Sequence, residues 1–131
     1  MLSSADNMIE SVRHDMETQQ LHMVLTFVWT VIALANQYFT EQAPWALAKT
    51  DPTRQGTVLY VTAEVLRQVG ILAQPFMPAS AGKLLDLLAV PNGERTFAYL
   101  DGKHRVAAGA KLPAPAGIFP RYVEPGEKAA P

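Results

Sequence analysis

Cysteine is absent from the chain, which removes disulfides, thiolate metal ligands and a cysteine nucleophile at one stroke. Glycine and proline are absent from residues 1–43, so nothing in that third of the chain breaks a helix by composition. An excess of one charge is lacking as well: 11 Lys and Arg stand against 12 Asp and Glu. A self-sufficient nucleic-acid binder usually carries a clear basic surplus, and this chain alone is expected to hold RNA weakly. What is present is ordinary for a packed chain, with 49% hydrophobic residues in 131, enough for one domain or a piece of a larger one.

The asymmetries are positional. Residues 91–131 hold 11 of the 18 Gly and Pro residues, so one end reads as helix and the other as an irregular strap. Charge divides too, with −4 up to Leu47 and +3 from Ala48 onward. No basic segment followed by an apolar stretch opens the chain, which speaks against a secretory signal. The hottest stretch, residues 21–35, is 15 long and interrupted by His22, Thr26 and Thr30. A membrane span needs roughly 20 apolar residues, so a central bundle helix and a cytoplasmic protein are expected instead.

Periodicity and punctuation predict an all-α antiparallel helical bundle with an irregular C-terminal strap. The first helix should open at Ser3 or Ser4 and carry Met8, Ile9, Val12 and Met16 on one stripe. A second, over residues 20–42, places Leu21, Val24, Leu25, Val28, Ile32, Ala35 and Phe39 together, with Phe27, Trp29 and Val31 adding apolar area; Trp29 reads as core. Pro44 stops that helix by pushing Ala43 out of the α region. Residues 43–50 read as a loop with room for one helical turn, and Asp51-Pro52 as an N-cap followed by proline at the first helical position. A third helix should cover residues 52–74, and Pro78 should begin a fourth carrying Leu84, Leu85, Leu87 and Leu88. The resulting division is a bundle over 3–90, a strap over 91–124 and a disordered tail over 125–131.

No catalytic constellation stands out. Gly82-Lys83 lacks the second glycine of a phosphate loop, and His14 and His22 have no partner at helical spacing that would make a metal site. Glu64 and Asp86 read as isolated acids on helix faces. Trp45 differs, because it follows a proline that holds its backbone and has the small residues Ala43 and Ala46 beside it. Two readings stand: a plug across the helix junction, or an aromatic platform for a nucleic-acid base, with Lys49 and Arg54 placed downstream to reach phosphate.

The string Ala35-Asn36-Gln37-Tyr38-Phe39-Thr40-Glu41-Gln42-Ala43-Pro44-Trp45 resembles the helix end and Pro-Trp signature of methionyl-tRNA synthetases, in their C-terminal anticodon-binding domain. Ala48-Lys49-Thr50-Asp51, the Gln74-Pro75-Phe76-Met77-Pro78 helix exit, Gly82-Lys83-Leu84-Leu85-Asp86-Leu87-Leu88 and Ile118-Phe119-Pro120-Arg121 are also similar to the family, particularly its bacterial members. The resemblance covers about residues 3–124. It implies a helical bundle of the class I synthetase anticodon-binding type that reads the CAU anticodon of methionine tRNA, with Trp45 stacking on an anticodon base. Asn36 and Tyr38 match the signature, either as contacts or as residues that shape the helix end; Gln37 stands where the family often has a basic residue.

The resemblance also implies what lies elsewhere. The family's catalytic domain, with its ATP-handling signatures, has no counterpart in these residues, and a further bundle helix bearing an anticodon-reading Asn and Arg is expected before Met1. This chain is therefore expected to be inactive alone, to need no cofactor of its own and to leave ATP and methionine to the catalytic domain. Stacking tolerates any base whereas base-edge hydrogen bonds specify, so discrimination of CAU should be poor. The expected partners are the methionine tRNA anticodon loop and the catalytic domain, with no membrane. Self-association through an uncovered bundle face is the alternative, in a helical protein-interaction module or a truncated product without tRNA binding.

Overall fold

The computed structural model describes residues 8–119; the expected helix opening at Ser3 or Ser4, the last part of the strap and the expected tail lie outside them. Helices α1 (Met8–Glu17), α2 (Leu21–Gln42), α3 (Pro44–Thr50), α4 (Pro52–Ala73) and α5 (Pro78–Leu87) are followed by single 3-10 turns at Asn92–Glu94 and Phe97–Tyr99. Helix α4 is the hub: α2, α3 and α5 all pack on it, while α1 packs on α2. The short connections make α2 and α4 antiparallel neighbours.

The segment without glycine or proline still has to turn, and it does so on side-chain-bearing residues. Gln19 (φ 59°) ends α1 and Ala43 (φ 42°) ends α2, both in the left-handed region that favours glycine. After α1, the Gln20 N–H reaches the Asp15 carbonyl at 2.7 Å, and Ala89 (φ 56°) repeats the arrangement after α5 through Val90 N–H and the Leu85 carbonyl at 3.0 Å. Pro44 then opens α3 instead of a loop, because its fixed φ suits a first helical position. Within residues 43–50, expected as a loop with room for one helical turn, Pro44–Thr50 form a seven-residue helix. The N-cap expected at Asp51 forms: its carboxylate accepts from the Arg54 backbone N–H at 2.9 Å, with Pro52 next in line.

The core joins Val12 of α1, Val24, Val28, Val31 and Ala35 of α2, Val65, Val69, Ile71 and Leu72 of α4, and Leu85, Leu88, Val90 and Leu100 beyond. The buried stripe of α2 is therefore 24-28-31-35, not the broader band expected from its composition. Leu21 and Leu25 face outward, and Trp29, expected in the core, is 55% exposed. Trp29 sits one position past Val28, about 100° round the helix, at the rim of a groove that Leu66, Val69 and Gly70 of α4 also line.

Glu64 also departs from expectation. It is not a solvated acid but fully buried, with Arg67 and Gln68 of the same helix. The Arg67 guanidinium donates twice to its carboxylate, at 2.7 and 3.0 Å, and once to the Tyr99 carbonyl at 2.8 Å. The backbone N–H of Val106 completes the cluster by donating to Glu64 at 3.0 Å. This buried pair binds the chain after α5 onto α4, and every charge in it is met by a hydrogen bond. Asp86 is paired as well, with Arg95 at 2.7 Å. Beyond this clamp, residues 107–117 lie exposed, and Ile118 and Phe119 return to a largely apolar groove of about 300 Å³ that Trp29, Leu66 and Leu84 help to line.

Candidate nucleic-acid interface

Trp45 owes its position to local chain chemistry. The left-handed turn at Ala43, whose N–H donates to the Phe39 carbonyl at 3.1 Å, redirects the chain at the end of α2. Pro44 is buried and starts α3, so the next residue is thrown outward. Trp45 is 62% exposed, and its indole meets the Phe39 ring at 5.9 Å between centroids and 61° between planes. Edge-to-face contact at this distance is a favourable aromatic geometry. Within this chain the indole is not enclosed, as a plug across the junction would be, and its outer surface is open.

Lys49 follows Trp45 by four residues on α3, which places both on one face of that helix, and it is exposed. Arg54 is exposed at the start of α4 and its Nη2 donates to the Gln42 side-chain oxygen at 2.6 Å, tying the beginning of α4 to the end of α2. That bond occupies one of the five guanidinium donors. Asn36 is exposed on α2 one turn before Phe39, and the two residues line one groove of about 280 Å³ between α2 and α4, with Thr62 and Leu66 on the opposite wall. Asn36, Phe39 and Trp45 thus form a continuous run: amide, ring, ring. Gln37 is engaged with Glu41 at 2.8 Å, one turn on along α2.

This arrangement offers an indole surface, a neighbouring amide and two cations, Lys49 and Arg54, set against the anions Glu41 and Asp51. Such a site favours stacking with modest phosphate attraction over tight, salt-driven binding. Phe39 escaped the sequence reading as part of the site. Its six-residue offset from Trp45 matches no helical period, because the left-handed stop lies between them. Among the described residues, no three His, Cys, Asp or Glu side chains gather closely enough to hold a metal ion.

Comparison with known proteins places this geometry in a family. The model of the "Anticodon binding domain of methionyl tRNA ligase" matches residues 1–128. The chain is 54% identical to the methionine–tRNA ligase of Rhizobium meliloti over 125 residues, which is 95% of this chain and 24% of that protein. It is 56% identical to the Brucella suis enzyme over 128 residues, 98% of this chain and 25% of the relative. The apo crystal structure of Mycobacterium tuberculosis methionyl-tRNA synthetase superimposes with a TM-score of 0.87 at 43% identity, covering 95% of this chain and 25% of that one. The chain spans about a quarter of the length of the relatives it matches. With the helical fold and these matches in agreement, the chain belongs to the family of methionyl-tRNA ligase anticodon-binding domains.

Proposed function

We propose that this chain is the portion of a methionine–tRNA ligase that positions the anticodon loop of methionine tRNA, for aminoacylation by a catalytic domain outside these 131 residues. The observation that carries this reading is Trp45, exposed on a proline-started helix and braced by Phe39. Trp45 supplies the stacking surface, Asn36 an amide beside it, and Lys49 and Arg54 attraction for the loop backbone. ATP and methionine belong to the catalytic domain, and this chain requires no cofactor for its part. The protein works in the cytoplasm, without a membrane. The helical stretch Leu21–Thr50 is long and apolar enough to span one, but the left-handed break at Ala43 and the polar run Asn36, Gln37, Glu41 and Gln42 suit a wet surface. Because stacking accepts any base, discrimination of CAU from other loops by this chain is low.

The test is binding of a methionine tRNA anticodon stem-loop. Trp45→Ala should cost about 1–3 kcal/mol of affinity, the range for one stacked base. Unchanged affinity overturns the reading. A second reading, a protein-interaction or self-associating module, is favoured by one observation: Leu21, Leu25 and Trp29 are 48%, 37% and 55% exposed along one side of α2. Sedimentation at several concentrations separates the two, since a monomer at all of them removes the self-association.

A further inference from the structure

The Trp45 platform is only as useful as it is still. A tryptophan on a seven-residue helix, 62% exposed, has several rotamers open to it, and binding a base to one of them forfeits the rest. One neighbour restricts that choice. The Phe39 ring lies 5.9 Å from the indole at 61°, and Phe39 is itself half-buried against the wall of the α2–α4 groove. The ring is therefore held from behind by the bundle and meets the indole in front. The Phe39 carbonyl also accepts the N–H of Ala43, the left-handed residue that turns the chain into α3. Position 39 thus contributes a backbone carbonyl to the turn that presents Trp45, and its ring braces the indole.

From this we infer that Phe39 is a positioning residue for Trp45: it touches no RNA but fixes the indole in the orientation in which a base stacks. The role rests on the platform reading of Trp45. It predicts an effect on affinity without an effect on charge, because Phe39 neutralises no phosphate.

The experiment uses the 131-residue chain carrying Trp29→Phe, which leaves Trp45 as the sole tryptophan of the two. Acrylamide quenching and fluorescence anisotropy report the indole's freedom, and titration with the methionine tRNA anticodon stem-loop at several salt concentrations reports binding. Phe39→Leu keeps apolar bulk in the groove and removes the ring edge; Phe39→Tyr keeps the ring. Expected for Phe39→Leu are faster quenching, lower anisotropy and roughly two- to tenfold weaker binding with an unchanged salt slope, while Phe39→Tyr stays near the parent. Helix content by circular dichroism, unchanged in both variants, separates loosening of the indole from unfolding. Binding lost with Trp45→Ala but kept with Phe39→Leu, alongside unchanged quenching, overturns the positioning role and leaves the platform standing. Binding unchanged by either substitution overturns the platform itself, and the positioning role with it.

Discussion

Helices α2 and α4 each run 22 residues and pack against each other, yet only four residues of α2 are buried against ten of α4. Composition would rank them the other way. Helix α2 carries one charged side chain, Glu41, whereas α4 carries Arg54, Glu64 and Arg67. The difference teaches that burial follows the number of neighbours. Among the described residues, helix α4 is covered by α2, α3, α5 and the segment behind α5, whereas α2 packs mainly on α1 and α4 and keeps Leu21, Leu25 and Trp29 partly exposed. Polar groups deep in α4 are tolerable because they satisfy one another, and costly to disturb for the same reason.

The comparison can be broken most severely at Arg67. Arg67→Met strands the Glu64 carboxylate in the core and should cost about 3–5 kcal/mol, read from the midpoint of urea unfolding. An effect as small as that of a surface substitution would mean that α4 is not the hub. Next in size is a pair of positions on α2. Val28→Ala, at 1% exposure, should cost about 2 kcal/mol, and Thr30→Ala, on the exposed side, less than about 0.5 kcal/mol. Equal losses at the two positions would place the buried stripe wrongly.

The helix ends offer a smaller contrast. Helix α2 stops on left-handed Ala43, whereas α4 stops on Gln74 at φ −54°, an ordinary helical value. Ala43→Gly should therefore stabilise by up to about 1 kcal/mol, and Gln74→Gly should give no gain, as measured by thermal unfolding. The smallest effect concerns the turn that leads to the α4 clamp. A hydrogen bond from the His104 ring to Asp101 is the main reason that this carboxyl lies below the ordinary aspartate range, with the Lys103 and His104 backbone N–H groups assisting against desolvation. A depressed folded pKa contributes stability that is present above the unfolded pKa and lost as the pH falls through the folded one. Carboxyl titration by NMR should show a low midpoint for Asp101, moved upward by His104→Ala.

Much of this architecture was legible in the chain. Asp51-Pro52 and Pro78 announce helix starts, and Val24, Val28, Val65, Val69 and Leu85 repeat at helical spacing. Residues 43–50 hold more helix than the single turn expected, because a proline after a helix can also start the next one, and only the conformation of Ala43 separates the cases. Trp29 reads as core but is 55% exposed, because an apolar run reports hydrophobicity without saying where the neighbours are. In the candidate site, Trp45 was visible through its proline and small neighbours. Phe39 was not, since its contact with Trp45 crosses a change of direction that no period describes.

The sequence by itself determined that the described chain is helical, where most helices begin, and which family it belongs to, because caps, periods and signature strings are local properties of the chain. The tertiary structure alone decided that Glu64 and Arg67 form a buried clamp, that the apolar α2 keeps an open face, and that Trp45 stands against Phe39. Each of these depends on which distant residues arrive beside a side chain and whether they exclude water from it. That is settled only when the helices pack.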